Sequence, residues 1–243
     1  MANNYFSVIS QELDNLANSK KAIILSRFFK TAPGQYGAGD IFLGINVPEQ
    51  RKIARKYKLA DKRAIKLLLT NRIHEYRLVG LLILVEQYQV AQDEEKRKIV
   101  NFYFQHRHAV NNWDLVDVTA PKILGHFWFN YLSVQERTEV MSQLAESDNL
   151  WERRIAIIST FYFIMQGRTK ETFWLAEKLL SDKHDLIHKA VGWMLREAGK
   201  RVSQEQLKEF LDKHVLKMPR TALRYAIERL PEKDRQLYLK RKI

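Results

Sequence analysis

Leu150-Trp-Glu-Arg-Arg-Ile-Ala-Ile-Ile-Ser-Thr-Phe-Tyr-Phe-Ile-Met165 is the stretch on which the fold turns. Leu150, Trp151, Ile155, Ile157, Ile158, Phe161, Phe163 and Ile164 spread apolar side chains around most of a helical circumference. A helix of that kind has to be covered on two or three sides, as an inner helix of a stacked array is. Arg154 falls on the side of Leu150, Ile158 and Phe161. Its guanidinium leaves an apolar sector and needs an anionic partner, either a carboxylate such as Asp117 or a bound phosphate. Arg153 points about 100° away and reads as a solvated charge.

The same three-and-four spacing recurs along the chain, and no convincing alternation of polar and apolar residues interrupts it. The pattern predicts helices over 4–17, 19–31, 48–57, 60–70, 74–90, 93–106, 112–129, 133–145, 149–166, 169–181, 184–199, 203–215, 218–229 and 231–241. Short stops separate them, among them Ser147-Asp-Asn149, Gly167, Pro219 and Pro231. Helices paired at a spacing of about 35 to 40 residues resemble stacked hairpins of the HEAT or armadillo kind. The expectation is an all-α chain forming one domain over 1–243, whose curvature supplies a concave face.

The formal charge of +13 and pI near 9.8 favour acidic partners, nucleic acid ahead of membrane, because no long uncharged apolar run exists. From Lys183 to Ile243 there are 16 Lys and Arg against 8 Asp and Glu, so the basic surplus is concentrated in the last quarter. The chain has no cysteine, which excludes disulfides, thiolate zinc sites and a cysteine nucleophile. Met1 to Leu13 lacks the basic and apolar regions of a secretory signal, so an intracellular location is expected. His184 and His188 form an i, i+4 pair without an evident third ligand, and no metal site is expected.

Two helices carry candidate chemistry. Between Leu186 and Lys200, Ile187, Val191, Met194 and Ala198 mark a buried stripe, while Lys189, Trp193, Arg196 and Lys200 share another sector. One indole in a line of three cations suits a polyanion with flat groups, namely nucleic acid. Alternatively, Trp193 covers a neighbouring helix while the cations snorkel past it. Asn112 is a good N-cap for Trp113-Asp-Leu-Val-Asp117, and Trp113 and Asp117 project side by side at i, i+4. A carboxylate beside a π face attracts a cationic or electron-poor ring; the alternative is a packing tryptophan plus a helix-starting acid. Asp114 reads equally well as a surface acid matched to the helix dipole. Thr31 to Gly44 holds four of the nine glycines, around Tyr36 and Asp40, and is either a mobile, ligand-approaching segment or an ordinary connector.

Asn111-Asn-Trp-Asp-Leu-Val-Asp117, Ser147 to Ile157, Lys189-Ala-Val-Gly-Trp-Met-Leu-Arg-Glu197 and Phe42-Leu-Gly-Ile-Asn-Val-Pro-Glu49 resemble, in register, the motifs of the HEAT-like repeat DNA glycosylases of the AlkD type. The resemblance implies a right-handed α-α superhelix with a concave basic face around duplex DNA. It also implies base excision repair by hydrolysis of the N-glycosidic bond of cationic purines such as 3-methyladenine and 7-methylguanine, without base flipping. By position, Asp117 is the catalytic carboxylate, Trp113 and Trp193 contact the sugar and backbone of the lesion nucleotide, and Arg154 holds phosphates. Lys189, Arg196, Lys200 and Tyr36 complete the expected DNA contacts. The expected protein is a cytoplasmic monomer, nucleoid-associated through DNA, with no cofactor and no membrane partner. The segment from Gly34 to Gly44 departs from the family in being longer than the compact turn of its best-known members. A non-catalytic DNA-binding repeat protein and a scaffold whose basic face binds acidic peptides remain the competing readings.

Overall fold

A computed structural model describes residues 4–241, so the first three residues of the stretch read for a secretory signal, and Lys242 of the basic tail, lie outside it. Among the described residues there is no strand, only a single bridge between Ile41 and Ile73. The chain divides into two compact units, Met1–Thr119 and Ala120–Ile243.

In the first unit the helices are α1 (Tyr5–Asn15), α2 (Ser19–Phe28), α3 (Val47–Lys56), α4 (Lys62–Leu69), α5 (His74–Val90), α6 (Asp93–Gln105) and α7 (Trp113–Ala120). Local chemistry starts the first four: the side chains of Asn4, Asn18, Asn46 and Asp61 each accept an N–H three residues on. Helix α5 is the core helix, buried nearly along its length and packed by α1, α3, α4 and α6. Helix α2 is its opposite. It has no buried residue, and Ile23, Ile24 and Phe28 stay exposed on it.

The second unit contains α8 (His126–Tyr131), α9 (Val134–Ala145), α10 (Leu150–Met165), α11 (Lys170–Leu179), α12 (Asp185–Arg201), α13 (Gln204–His214), α14 (Arg220–Ala226) and α15 (Glu232–Arg241). Helix α10 is covered by α8, α9, α11 and α12, the environment its all-round apolar sequence demands. Each large aliphatic side chain so buried contributes about 1.5–3 kcal/mol. Ile187, Val191, Met194 and Ala198 of α12 are buried as their spacing predicts. A Cβ at Gly192 would lie 2.5 Å from both the Ala222 carbonyl oxygen and Tyr225 Cβ, so this glycine sets how closely α12 and α14 pack.

The single helix expected over 112–129 is a correction. Helix α7 ends at Ala120, Pro121–Gly125 forms a π turn, and α8 follows. Pro121 offers no N–H to the ladder, and the wider turn carries the helical path past that gap.

Candidate nucleic-acid interface

In the first unit the site residues are brought together by α7 and the glycine-rich segment before α3. Asn112 is fully buried; its Oδ1 accepts the Trp113 N–H at 2.9 Å and its Nδ2 donates to Asp40 Oδ2 at 3.5 Å. Trp113 is half-buried and stacks on Phe29 at 4.9 Å and 14°, with Phe28 edge-on at 5.7 Å. Phe29 stacks in turn on Phe42 at 4.9 Å, and Phe42 on the His74 ring at 4.5 Å. Asp117, one turn beyond Trp113, is half-buried. Its charge reaches the fully buried Tyr103, whose phenol is pushed up by burial first and by Asp117 as well, despite the hydrogen bond with Thr119 at 3.1 Å.

Asp114 corrects the surface-acid reading, because it is buried and its Oδ2 lies 2.8 Å from His74 Nε2. On the other side of the ring, His74 Nδ1 lies 3.1 Å from Asp40 Oδ2, and Arg77 donates to Asp40 Oδ1 at 2.7 Å. Burial disfavours the imidazolium, but the charge and hydrogen bond of Asp114 and the hydrogen bond of Asp40 outweigh it, and the His74 pKa rises to about 9. Burial likewise opposes ionised Asp40, yet its bond to His74 and the Arg77 charge hold its carboxyl below 3.8. Two cations and two carboxylates thus neutralise each other in the interior. Both His74 ring nitrogens are engaged, so the ring positions α5 against α7 and the loop instead of shuttling protons.

Of the two readings of the glycine-rich segment, the geometry is that of a pinned connector. The buried Glu75 carboxylate accepts N–H bonds from Leu43, Gly44 and Ile45 at 3.0, 2.8 and 3.3 Å. Ile41 exchanges backbone bonds with Arg72 and His74. Gly44 has φ +86, and a Cβ there would lie 2.3 Å from the Asn18 carbonyl oxygen, so a side chain is excluded on both counts. Tyr36 is half-buried, and its hydroxyl donates to the Phe28 carbonyl at 3.4 Å.

The second unit holds the other predicted residues. Trp193 is half-buried on α12, with its ring 6.1 Å from Phe161 of α10, and the Arg201 guanidinium lies over Phe161 at 5.5 Å. Arg196 is engaged by Glu228 and by Glu197, and Glu197 also receives Arg201 at 2.7 Å. Burial opposes the charge on Glu197, but these two arginines hold its carboxyl below the ordinary range. Lys189 pairs with Asp185 at 2.8 Å, and Lys200 is exposed. Arg154 is only 5% exposed and donates to the Leu186 carbonyl at 2.6 Å. Arg153 corrects the solvated reading: it donates to Asp182 at 2.6 Å and to the carbonyls of Ser147 and Asp148.

The sequence reading missed His74, Arg77 and Glu75, and it missed the partners of Asp40. The available signal was a run of polar residues, His74, Glu75 and Arg77, opening an otherwise apolar helix. Among the described residues no group of three or more His, Asp or Glu side chains is placed to hold a metal ion. No helix there is long and apolar enough to cross a membrane.

The sequence model of the DNA alkylation repair enzyme family matches residues 9–230. No curated protein matches the sequence. Among solved structures, one described as a predicted DNA alkylation repair enzyme from Enterococcus faecalis is similar with a TM-score of 0.68. It is 19% identical over 89% of this chain and 97% of that one, a likeness of fold.

Proposed function

Because this chain belongs to the DNA alkylation repair enzyme family, which gives it a role in DNA repair, we propose that it is a glycosylase releasing cationic alkylated purines from duplex DNA. The observation that carries this reading is the accessible carboxylate of Asp117 one helical turn from the Trp113 indole, on a helix whose start is held by buried bonds. As the C1′–N bond breaks, its electron pair returns to the purine nitrogen and cancels the positive charge of the base. Positive charge develops on the sugar, where Asp117 stabilises it and orients the water whose oxygen bonds to C1′ while a proton leaves to solvent. A cationic purine departs without a general acid, so a single carboxylate is sufficient.

Trp113 and Trp193 are assigned to the sugar and backbone of the lesion nucleotide. Lys189, Arg196, Lys200 and Tyr36 are assigned to the duplex. Arg154 belongs to the same proposal, although it is the member least open to a phosphate. The cytoplasmic, monomeric state is part of the reading too.

The test is release of free base from duplex DNA containing 7-methylguanine. The native protein is expected to release it, and Asp117→Asn to do so about 10²–10³-fold more slowly. Equal release by both proteins, or release by neither, overturns the assignment. One observation favours the second reading, a DNA-binding protein without excision: Phe29 already covers one face of the Trp113 ring and Phe28 its edge. Salt-dependent duplex binding with no base release is the result that reading requires.

A further inference from the structure

The first unit encloses a cavity of about 510 Å³ beneath α2, lined by side chains that include Ile24, Phe28, Phe29, Phe42, Trp113 and Gln50. That volume lies inside the range of about 300–1,000 Å³ usual for small-molecule sites. Most of the wall is apolar and aromatic, and the lip is open, with Ile24 64% and Phe28 59% exposed. A wall of ring faces and edges favours a flat ring system over an aliphatic chain.

Gln50 supplies the polar feature. It is 2% exposed, and its Nε2 donates to the Ile45 carbonyl at 2.8 Å, which fixes the amide orientation, since a flipped amide would set two oxygens against each other. Its Oε1 is buried and has no donor among the described residues. A buried acceptor left in that state costs about 1–3 kcal/mol, so an N–H or O–H brought into the cavity gains a bond without displacing one.

Charge narrows the ligand further. The buried ionised groups in the wall are already satisfied: Glu75 by three backbone N–H groups, His74 by two carboxylates, Asp114 by His74 and the Leu115 N–H. Lys21, also in the wall, is exposed. The interior therefore offers ring faces and one unpaired acceptor, and no uncompensated buried charge.

We propose that this cavity is a binding site for a neutral, flat heteroaromatic molecule carrying an N–H donor, which stacks among Phe28, Phe29 and Trp113 and donates to Gln50 Oε1. The site takes its ligand from solution, independently of DNA.

Calorimetric titration of the full chain with indole and with 1-methylindole tests it, because the two probes share a ring and differ in the donor. Saturable one-to-one binding of indole is expected, with 1-methylindole about tenfold weaker. Gln50→Leu is expected to bind both alike, with folding checked by its melting transition. Val47→Trp places a large ring at the lip, where Val47 is 37% exposed, and is expected to abolish binding of both probes without a core substitution. Asp117→Asn retains indole binding, which keeps this result separate from the glycosylase assignment. No binding by the native protein, equal affinity for the two probes, or indole binding undiminished in Val47→Trp each overturns the proposal. If Gln50→Leu does not fold, the probe ratio in the native protein and the Val47→Trp result decide it.

Discussion

The two units solve the problem of a helical core in different ways. At the centre of the second lies α10, whose buried surface is overwhelmingly apolar, with Ile155, Ile157, Ile158, Phe163 and Ile164 at or below 1% exposure. At the corresponding place in the first lies α5, whose opening turn instead buries His74, Glu75 and Arg77. Apolar burial is non-directional and tolerates small adjustments. A buried ionic network demands that each partner be placed to a fraction of an ångström, and it punishes the loss of any one of them. The directional arrangement occurs in the unit that holds Asp117 and the cavity, where the loop between α2 and α3 has to be held against the start of α7.

Removing the Glu75 carboxylate should break the contrast most severely. Glu75→Ala leaves the N–H groups of Leu43, Gly44 and Ile45 without their acceptor, at a cost of about 3–5 kcal/mol. Urea unfolding gives the magnitude, and faster hydrogen exchange at those three amides gives the location. A loss below about 1 kcal/mol would show that the clamp is dispensable.

Titration of His74 comes next. Its folded pKa lies above its ordinary value, so its contribution is complete below pH 6.5 and is lost as the pH rises through about 9. The raised value corresponds to about 3 kcal/mol at 1.36 kcal/mol per pH unit. Asp40 acts at the other end: its carboxyl is held below 3.8, so its contribution is complete above that pH and disappears on acidification. Unfolding free energy should therefore be highest between about pH 4 and 6.5, and His74→Gln should flatten the alkaline limb. An alkaline limb unchanged in that variant would contradict the assignment.

The smallest effect sharpens the comparison from the apolar side. Gly192→Ala forces α12 away from α14 and should cost about 1–3 kcal/mol, read as a lowered melting temperature with no change in the pH profile. An increase in stability would mean that the two helices yield at no cost.

Much of the helical plan was legible because it is written locally. Apolar spacing located the helices, side-chain caps started many of them, and the stripe of α12 that was expected to face outward does so, with Lys189, Trp193, Arg196 and Lys200 half-buried or exposed. Pro121 was present in the sequence, but spacing alone did not show that the helical path crosses it with a π turn. Asp114 was misread because the first turn of a helix usually points an acid at water, whereas here it points at His74, forty residues earlier in the chain. Asp40 was seen only as part of a permissive loop.

The sequence by itself determined an all-helical chain, its basic charge, the i, i+4 pairing of Trp113 with Asp117, and the outward stripe of α12, since each depends on neighbours within a turn or two. Tertiary structure alone decided that His74 is cationic, that Arg196 is shared between two glutamates, that Glu75 pins the glycine-rich segment, and that Gln50 keeps an unused acceptor beside an aromatic cavity. Those properties arise from desolvation and from distances between groups remote along the chain, which residue spacing does not encode.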